Sequence, residues 1–303
     1  MYRTGNVPWN QRLTALLLLS SLTTPVALAA ATEPLENGRP PIDTDAALRA
    51  IRQADFAEPI YVESREDNNQ VQGGIYVLID TPFKTLREKL ADKRSWCEII
   101  FLHFNIKACV LDMKSDPTRV SIYSGRLYYQ SPEEATRNDY VFEAFSFRDN
   151  YLNTVLHGPD GPFGTRDYRI VIQAVPVDEH TTLAHVSYSL HYNMVTRVAQ
   201  RVYFASAGRH RIGFSREGTD NTPVRGVRGM VERNTMRFYL ALEAFLGAPE
   251  PNQRDERLER WHTLTLQYPD QLKELDLETY LDYKSKERAH QDNLQKNADR
   301  GEG

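Results

Sequence analysis

The chain has 303 residues, of which 41% are hydrophobic, and its formal net charge is −4. This length allows one large domain or two small ones, and the apolar content is sufficient for a sizeable core. A net acidic chain argues against general nucleic-acid binding, so we predict no nucleic-acid partner.

The first 29 residues have the pattern of a secretory signal peptide. Arg3 and Arg12 supply positive charge, residues 13–22 form an apolar run, and residues 27–29 form a small-x-small cleavage signal. The apolar run is too short to cross a membrane. Removing residues 1–29 takes away two arginines and no acids, which changes the net charge from −4 to −6. We therefore expect a periplasmic or secreted protein.

The chain contains two cysteines, Cys97 and Cys109. In an exported protein this number favours one disulfide. The bond would close a short loop and stabilise the fold by about 3 kcal/mol in the chain-entropy model. Two buried free thiols are the alternative. Neither cysteine lies in a CxxC motif or at a histidine-paired spacing, so the sequence does not indicate a catalytic or metal-binding role.

Residues 30–69 are predicted to be an N-terminal linker with a short helix over 45–56 and a polar approach loop over 63–72. A strand follows over 74–81, and Pro82 then starts a helix that runs to about residue 91. A second short apolar segment covers 96–102. The chain then alternates as a series of strands, predicted at 106–113, 119–129, 139–147, 151–157, 168–177 and 181–194. Two further short strands are predicted at 201–205 and 211–215.

One long amphipathic helix is predicted over residues 224–247. Its apolar residues recur at steps of three, four and seven, and they are Val227, Val231, Phe238, Leu242 and Phe245. Gly247 followed by Pro249 predicts the end of the helix. Residues 249–303 form a charged tail with thirteen acids and nine bases, in which we predict one or two surface helices and a loose final segment of fifteen residues.

This order of elements resembles the helix-grip fold of the START-like superfamily, also called Bet v 1-like or polyketide-cyclase-like. The resemblance covers residues 70–248, and it also depends on the proline-started helix, on Trp96 after it, and on the closing helix RGMVERNTMRFYLALEAFLG. It implies an α+β fold in which a curved antiparallel β-sheet wraps around a long C-terminal α-helix, here in a bacterial exported member. Residues 195–223 are longer than the usual link into the last helix, and the tail 249–303 is additional.

In the superfamily, a cavity between the sheet and the long helix typically holds a lipid, a sterol, a polyketide or another hydrophobic small molecule. The resemblance therefore implies a protein that binds a hydrophobic or amphipathic, lipid-like molecule, with lipid transport as a natural use. We expect eight residues to contact this ligand: Tyr123, Phe142, Phe145, Tyr188, Tyr192, Met230, Phe238 and Arg228. Any of the aromatic residues could instead be ordinary sheet core, because a one-residue change of register reverses the face of a strand.

Arginines dominate the stretch from residue 196 to residue 237, which has nine arginines, no lysines and three acids. Five of them flank the start of the long helix: Arg209, Arg211, Arg216, Arg225 and Arg228. Guanidinium groups bind carboxylates and phosphates in a bidentate manner. They could hold an anionic head group or contact an anionic membrane surface. The alternative is that they form salt bridges with the acidic tail.

The sequence contains no recognisable catalytic or metal-binding motif, so it favours a binding protein that uses no cofactor and no metal. Two alternatives stay open. One is an enzyme of the cyclase or hydratase type that uses Glu143, His185 or a tyrosine as its acid or base. The other is a protein-interaction module in which the arginine-rich stretch and the charged tail bind a partner.

Overall fold

The computed structural model describes residues 42–112, 114, 116–146, 150–161, 164–206 and 208–301. The predicted signal peptide and residues 30–41 of the linker lie outside this part of the chain. The described residues belong to one compact unit. None of their helices is both long enough and apolar enough to span a lipid bilayer.

The chain contains ten strands and eight α-helices in the described residues. The strands are β1 (Ile60–Asp67), β2 (Gln70–Ile79), β3 (Ile106–Leu111), β4 (Arg119–Ser124), β5 (Thr136–Ser146), β6 (Leu152–Asp160), β7 (Thr165–Pro176), β8 (Thr182–Tyr192), β9 (Arg216–Glu217) and β10 (Thr222–Pro223). The helices are α1 (Thr44–Gln53), α2 (Phe83–Ala91), α3 (Lys93–Ile100), α4 (Met194–Ala205), α5 (Gly226–Gly247), α6 (Arg254–Thr265), α7 (Pro269–Leu272) and α8 (Leu277–Arg300).

Eight of the strands form one antiparallel sheet in the order β1-β2-β8-β7-β6-β5-β4-β3. The long helix α5 packs across the concave face of this curved sheet, against β1, β2 and β8. The predicted helix-grip fold is therefore confirmed. On β8 the even-numbered residues from Ala184 to Tyr192 face the core around α5, while Leu183 packs on α1 at the opposite face. This alternation follows from the two-residue period of a strand.

The seating of α5 depends on a close approach between its backbone and β2. A Cβ atom at Gly73 would lie 2.6 Å from the Thr235 Oγ1 atom and 3.0 Å from the Val231 carbonyl oxygen. Only glycine leaves room for this contact. On its other side α5 packs against α6, where the Trp261 indole N–H donates to the Arg237 carbonyl at 3.1 Å. The helix is thus buried on two opposite faces.

The prediction of a loop at residues 63–72 is wrong, because this segment belongs to the hairpin of β1 and β2. Asn68 and Asn69 form its turn with φ angles of 45° and 66°, a conformation that asparagine tolerates. β1 is the edge strand of the sheet and most of its C-terminal half is exposed, which explains its polar sequence. The predicted domain boundary at residue 70 therefore falls inside the hairpin.

The two strands predicted at 201–205 and 211–215 are also absent from the described residues. Residues 194–205 form α4 instead, whose first turn is capped by Asn193: its side chain accepts a hydrogen bond from the Thr196 N–H at 2.8 Å. Met194, Val198 and Val202 recur every four residues, so the helical period was present in the sequence.

The charged tail folds onto the domain, with α6 and α7 against α5 and α8 against the sheet. The prediction of a loose final segment is wrong, since α8 continues to Arg300 and lies along the edge strand β3. The Gln291 side chain accepts from the Cys109 N–H at 2.7 Å. Gln295 both accepts from the Leu111 N–H and donates to the Leu111 carbonyl, each at 2.9 Å. Two glutamines one turn apart thus replace a neighbouring strand, which protects an otherwise open sheet edge.

The predicted disulfide is present between Cys97 on α3 and Cys109 on β3, with their Cα atoms 5.3 Å apart. It joins the short helix to the same edge strand that α8 covers. Cys109 is therefore fixed both by this nearby disulfide and by the distant Gln291 of α8.

Candidate ligand-binding site

Two adjoining pockets open beside α5. The larger has a volume of about 1100 Å³ and lies between α4, α5 and the strands β7 and β8. The smaller has a volume of about 440 Å³ and extends under β4 and β5. They share four lining residues: Asn105, Tyr168, Tyr188 and Asn234. The two spaces are therefore separated by side chains alone.

Tyr168 and Tyr188 form the aromatic part of the wall that the pockets share, and Phe238 and Tyr140 continue it in the smaller pocket. The Tyr188 ring lies 6.2 Å from Tyr168 and 5.5 Å from Phe238, measured between ring centroids. The Tyr168 hydroxyl lies 2.7 Å from the Thr165 hydroxyl. Burial raises the pKa of the Tyr188 and Tyr140 hydroxyls well above the usual range, so both stay neutral. Such a wall offers apolar surface with a few polar tips, which suits an amphipathic guest.

The opposite wall comes from one face of α5. Met230, Arg233, Asn234 and Arg237 line the larger pocket, and their spacing of three, four and seven residues places them together on the helix. Both arginines are almost fully buried. Arg237 also lies over the Phe104 ring, with its guanidinium carbon 4.8 Å from the centroid.

Positive charge exceeds negative charge at this wall. Arg211 and Arg237 both bind the Glu274 carboxylate, at 2.9 Å for Arg211 Nη2 and 3.0 Å for Arg237 Nη2. Arg233 donates to the Ile212 carbonyl at 2.9 Å. Two guanidinium groups therefore share one carboxylate, and the third, on Arg233, has no carboxylate within ion-pair distance among the described residues. The Nε atom of Arg237 has no hydrogen-bond partner among the described residues.

Burial is the main cause of the pKa shifts of the arginines at this wall. It lowers the pKa of Arg233 and of Arg237 to about 10, and for Arg237 the Glu274 carboxylate offsets part of the effect. Both side chains still carry their proton at neutral pH. A buried anion beside them would relieve the desolvation of two cations at once.

His103 is a polar group of the smaller pocket. Burial lowers the pKa of its imidazole well below the usual value, and the nearby Arg237 and Lys284 charges lower it further. The ring is therefore neutral, and its Nδ1 atom accepts from the Asn105 N–H at 3.1 Å. It lies 5.4 Å from the Phe238 ring. This histidine can contact a ligand as a neutral polar group.

Of the residues predicted to contact a ligand, three line the pockets and the others that the structure describes do not. Tyr188 lines both pockets, Met230 lines the larger and Phe238 lines the smaller. Tyr192 is buried near the core, and its hydroxyl donates to the Glu66 carboxylate. Phe142 packs edge-on against Trp96 with centroids 5.7 Å apart. Neither Tyr192 nor Phe142 is among the residues that line the pockets.

Tyr123 and Arg228 lie elsewhere. Ile122 and Ser124 line the smaller pocket, so the alternation of β4 turns Tyr123 to the other face. Arg228 donates to the Ser64 hydroxyl at 3.1 Å and pairs with Glu217 at 2.6 Å, away from both pockets. The side chain of Phe145 lies outside the described part of the chain.

Of the candidate acids and bases of the enzymatic alternative, Glu143 and His185 do not line either pocket, whereas tyrosines such as Tyr188 do. Glu143 is exposed on β5. His185 lies on the convex face, stacked on Tyr76 at 4.2 Å, and burial lowers the pKa of its imidazole to about 4. Among the described lining residues the carboxylates are Glu134 and Glu274, and Glu274 is engaged by arginines.

Sequence reasoning missed most of the polar residues of the site. The helical spacing of Arg233 and Arg237 could have grouped them with Met230, which was selected. Glu274 lies in the tail and is brought to the pocket only by the tertiary fold. Of the five arginines predicted to flank the long helix, Arg211 alone lines a pocket among the described residues.

No family model matches this sequence, and no curated protein matches it either. Several solved structures resemble it. Human StAR-related lipid transfer protein 5 is 10% identical with a TM-score of 0.29, and the match covers 55% of this chain and 87% of that chain. A START superfamily protein from Mycobacterium smegmatis is 15% identical with a TM-score of 0.28, over 45% of this chain and 92% of that chain.

A conserved protein of unknown function from Enterococcus faecalis is 10% identical with a TM-score of 0.31, and the match covers 82% of this chain and 97% of that chain. At such scores these matches are resemblances, and the assignment of the fold depends on the coordinates of this chain. By its own strand order and the position of α5, the chain has a START-like helix-grip fold.

Proposed function

We propose that this protein binds an amphipathic small molecule whose apolar body lies against the tyrosine wall and whose anionic head faces Arg233 and Arg237. The observation that carries this proposal is that three arginines and one carboxylate, Glu274, line an otherwise largely uncharged pocket, and that the carboxylate pairs with two of the three. Carriage of a lipid-like molecule is the use that we infer.

The size and chemistry of the pocket support a lipid-like guest. A volume of about 1100 Å³ lies at the upper end of the range for small-molecule sites, and the adjoining space of about 440 Å³ extends it. Aromatic and aliphatic side chains supply most of the contact surface away from the arginines. An anion at that end would accept charge-assisted hydrogen bonds, including one from the unpartnered Arg237 Nε atom.

Binding of matched amphiphiles tests the proposal. A fluorescent probe in the pocket is displaced with a fatty acid, an alkyl phosphate and the uncharged alcohol of the same chain length. We expect both anions to bind more tightly than the alcohol. In the Arg233→Met/Arg237→Met variant this preference should fall by about 10- to 100-fold, since charge-assisted hydrogen bonds contribute about 1.5–3 kcal/mol.

Arg228→Met is the matched control for this experiment, because Arg228 lies on the same helix but faces Ser64 and Glu217. It should leave the preference for anions unchanged. Equal affinity for the alcohol and the anions in the unaltered protein would contradict the anionic head. Mass spectrometry of lipids extracted from the purified protein would then identify what the pocket holds.

We also propose that the protein functions in the periplasm or outside the cell. The basic start, apolar run and small-x-small signal of residues 1–29 support export, and the Cys97–Cys109 disulfide suits an oxidising compartment. Cell fractionation with N-terminal mass spectrometry tests this. We expect an exported chain that lacks residues 1–29, and a cytosolic chain with an intact N-terminus would contradict it.

A further inference from the structure

Helix α4 exposes an unusual amount of apolar surface. Met194, Val195, Val198, Val202 and Tyr203 are the exposed large hydrophobic residues of this twelve-residue helix, and Val195 is 77% exposed. Three of them, Met194, Val198 and Val202, follow each other at intervals of four, so they form a continuous stripe along one side. Unlike single scattered apolar residues, a contiguous stripe of this kind is a candidate interaction surface.

The same helix forms a wall of the larger pocket on its other side. Thr196, Ala199, Gln200 and Phe204 line that pocket, together with Val195 and Tyr203 at the border between the two sides. α4 therefore separates the proposed ligand from the surroundings. A molecule that contacts the outer stripe of α4 therefore lies within one helix diameter of the pocket.

The chain segment that carries the stripe is rich in arginine, of which Arg211 pairs with Glu274 and Arg197 donates to Asn69. Residues 180–216 contain five arginines and no acid, and Arg197 lies on α4 itself. Arg209 follows α4 and is exposed, and Arg225 is held beside it by a hydrogen bond from its guanidinium to the Arg209 carbonyl at 2.6 Å. An apolar stripe flanked by cations complements an anionic bilayer surface, where the apolar side enters the head-group region and the arginines meet lipid phosphates.

A second copy of the chain fits this surface less well. A helix of twelve residues is about 18 Å long and, with side chains, about 10 Å wide, which gives on the order of 200 Å² of apolar face. A stable protein interface needs about 800 Å² from each partner. Two copies would also bring the same arginines together.

We infer that the outer stripe of α4, formed by Met194, Val198 and Val202, docks on an anionic membrane surface and so places the larger pocket against the lipid. This inference extends the proposed function, because the docked face borders the pocket that would load or release the ligand. Vesicle binding is measured without reference to ligand, so the two proposals can fail separately.

Sedimentation of the purified protein with vesicles tests the docking. Vesicles of phosphatidylglycerol and phosphatidylcholine in equal parts are compared with vesicles of phosphatidylcholine alone, and the salt concentration is varied. We expect binding to the anionic vesicles, with weakening at high salt because screening reduces the arginine contribution. The Val198→Gln/Val202→Gln variant should bind about tenfold more weakly, since two valines lose their contact with the bilayer.

The Val141→Gln/Val177→Gln variant is the matched control, because it changes two exposed valines away from α4, one on β5 and one directly after β7. It should sediment like the unaltered protein. Absence of binding to anionic vesicles, or an equal loss in both variants, would overturn the inference. So would a dimer in light scattering that the Val198→Gln/Val202→Gln variant abolishes, since the stripe would then be covered by a second copy.

The probe-displacement assay separates this inference from the proposed function. Val198 and Val202 are not among the lining residues, so their variant should keep the preference for anionic amphiphiles. Loss of vesicle binding with retained ligand binding supports docking. Loss of the anion preference in that variant as well would indicate that α4 had changed its fold, and circular dichroism and the melting temperature check this directly.

Discussion

Substitution of Glu287 by glutamine tests whether the charged tail is part of the fold. Glu287 on α8 is fully buried and accepts from two buried lysines, from Lys107 at 2.7 Å and from Lys284 at 3.0 Å. The Glu287→Gln change keeps the shape of the side chain but removes the negative charge. We expect α8 to detach from β3 more easily, because nothing then neutralises the two ammonium groups.

The expected loss of stability follows from the hydrogen-bond partners of each lysine. Lys107 also donates to the carbonyls of Phe104 and Tyr128, and Lys284 to those of His103 and Ile106, so all three N–H groups of each are used. The glutamine oxygen can accept from one lysine, while its NH₂ group faces the other as a second donor. Removing one partner from a buried ion pair costs about 3–5 kcal/mol, and we expect the free energy of unfolding to fall by that amount.

The dependence on pH gives a second measurement. Burial lowers the pKa of Lys284 to about 8, from an ordinary value of 10.5, even though Glu287 acts to raise it. The unfolded chain therefore holds this proton more tightly, and stability increases as the pH rises from about 8 toward 10.5. Without the carboxylate, Lys284 loses its proton more readily in the folded state. The deficit of the Glu287→Gln variant should therefore shrink as the pH rises toward about 8 and stay constant above it, because Lys284 is then neutral in both folded proteins.

Urea unfolding of both proteins, followed by circular dichroism, provides the free energies. Asp282→Asn is the matched control, because it breaks an exposed pair with Lys286 on the same helix at a similar distance of 2.7 Å. Exposed pairs contribute at most about 1 kcal/mol. Two results would contradict this account of how Lys107, Lys284 and Glu287 hold α8. One is a loss of unfolding free energy in Glu287→Gln no larger than that in Asp282→Asn, and the other is a loss that does not change with pH.

Three further changes test other parts of the fold. Gln291→Ala should lower the free energy of unfolding by about 1–3 kcal/mol, because the buried Cys109 N–H loses its partner; an unchanged urea midpoint would show that α8 does not cover this edge. Reduction of the Cys97–Cys109 disulfide should cost about 3 kcal/mol, measured by unfolding with and without reductant, and equal stabilities would contradict it. Gly73→Ala should cost about 1–3 kcal/mol through overpacking against Thr235, and a melting temperature equal to that of the unaltered protein would disprove the close approach of α5.

Local patterns were sufficient to predict the order of the elements from β2 to β8 and the closing helix α5, but they missed β1 and α4. The alternation of β8 placed its tyrosines on one face, and the apolar period of α5 gave the length of that helix within two residues at its start. Both signals arise within a single element, where side-chain direction is fixed by the repeat of the backbone. The error at α4 came from reading short apolar segments as strands although their spacing was helical.

Local sequence patterns could not predict which arginines of α5 face the pocket. Arg228 and Arg237 are nine residues apart on α5, which places them on opposite sides of the helix at 3.6 residues per turn. Since α5 is buried on two faces, its sequence does not say which side meets the pocket. The fold decides this by seating α5 through Gly73 against β2, so that Arg233 and Arg237 face the space beside β8 and Arg228 faces β1.

The amino-acid sequence by itself determined the seven strands from β2 to β8, the long closing helix and the pairing of its two cysteines, because each depends on short-range spacing or on a count with one solution. Only the tertiary structure decided the charge of the pocket and the role of the tail. Glu274 reaches Arg211 across 63 residues, and Gln291 reaches Cys109 across 182. Contacts over such separations form when packed elements meet, and no periodicity within one element encodes them.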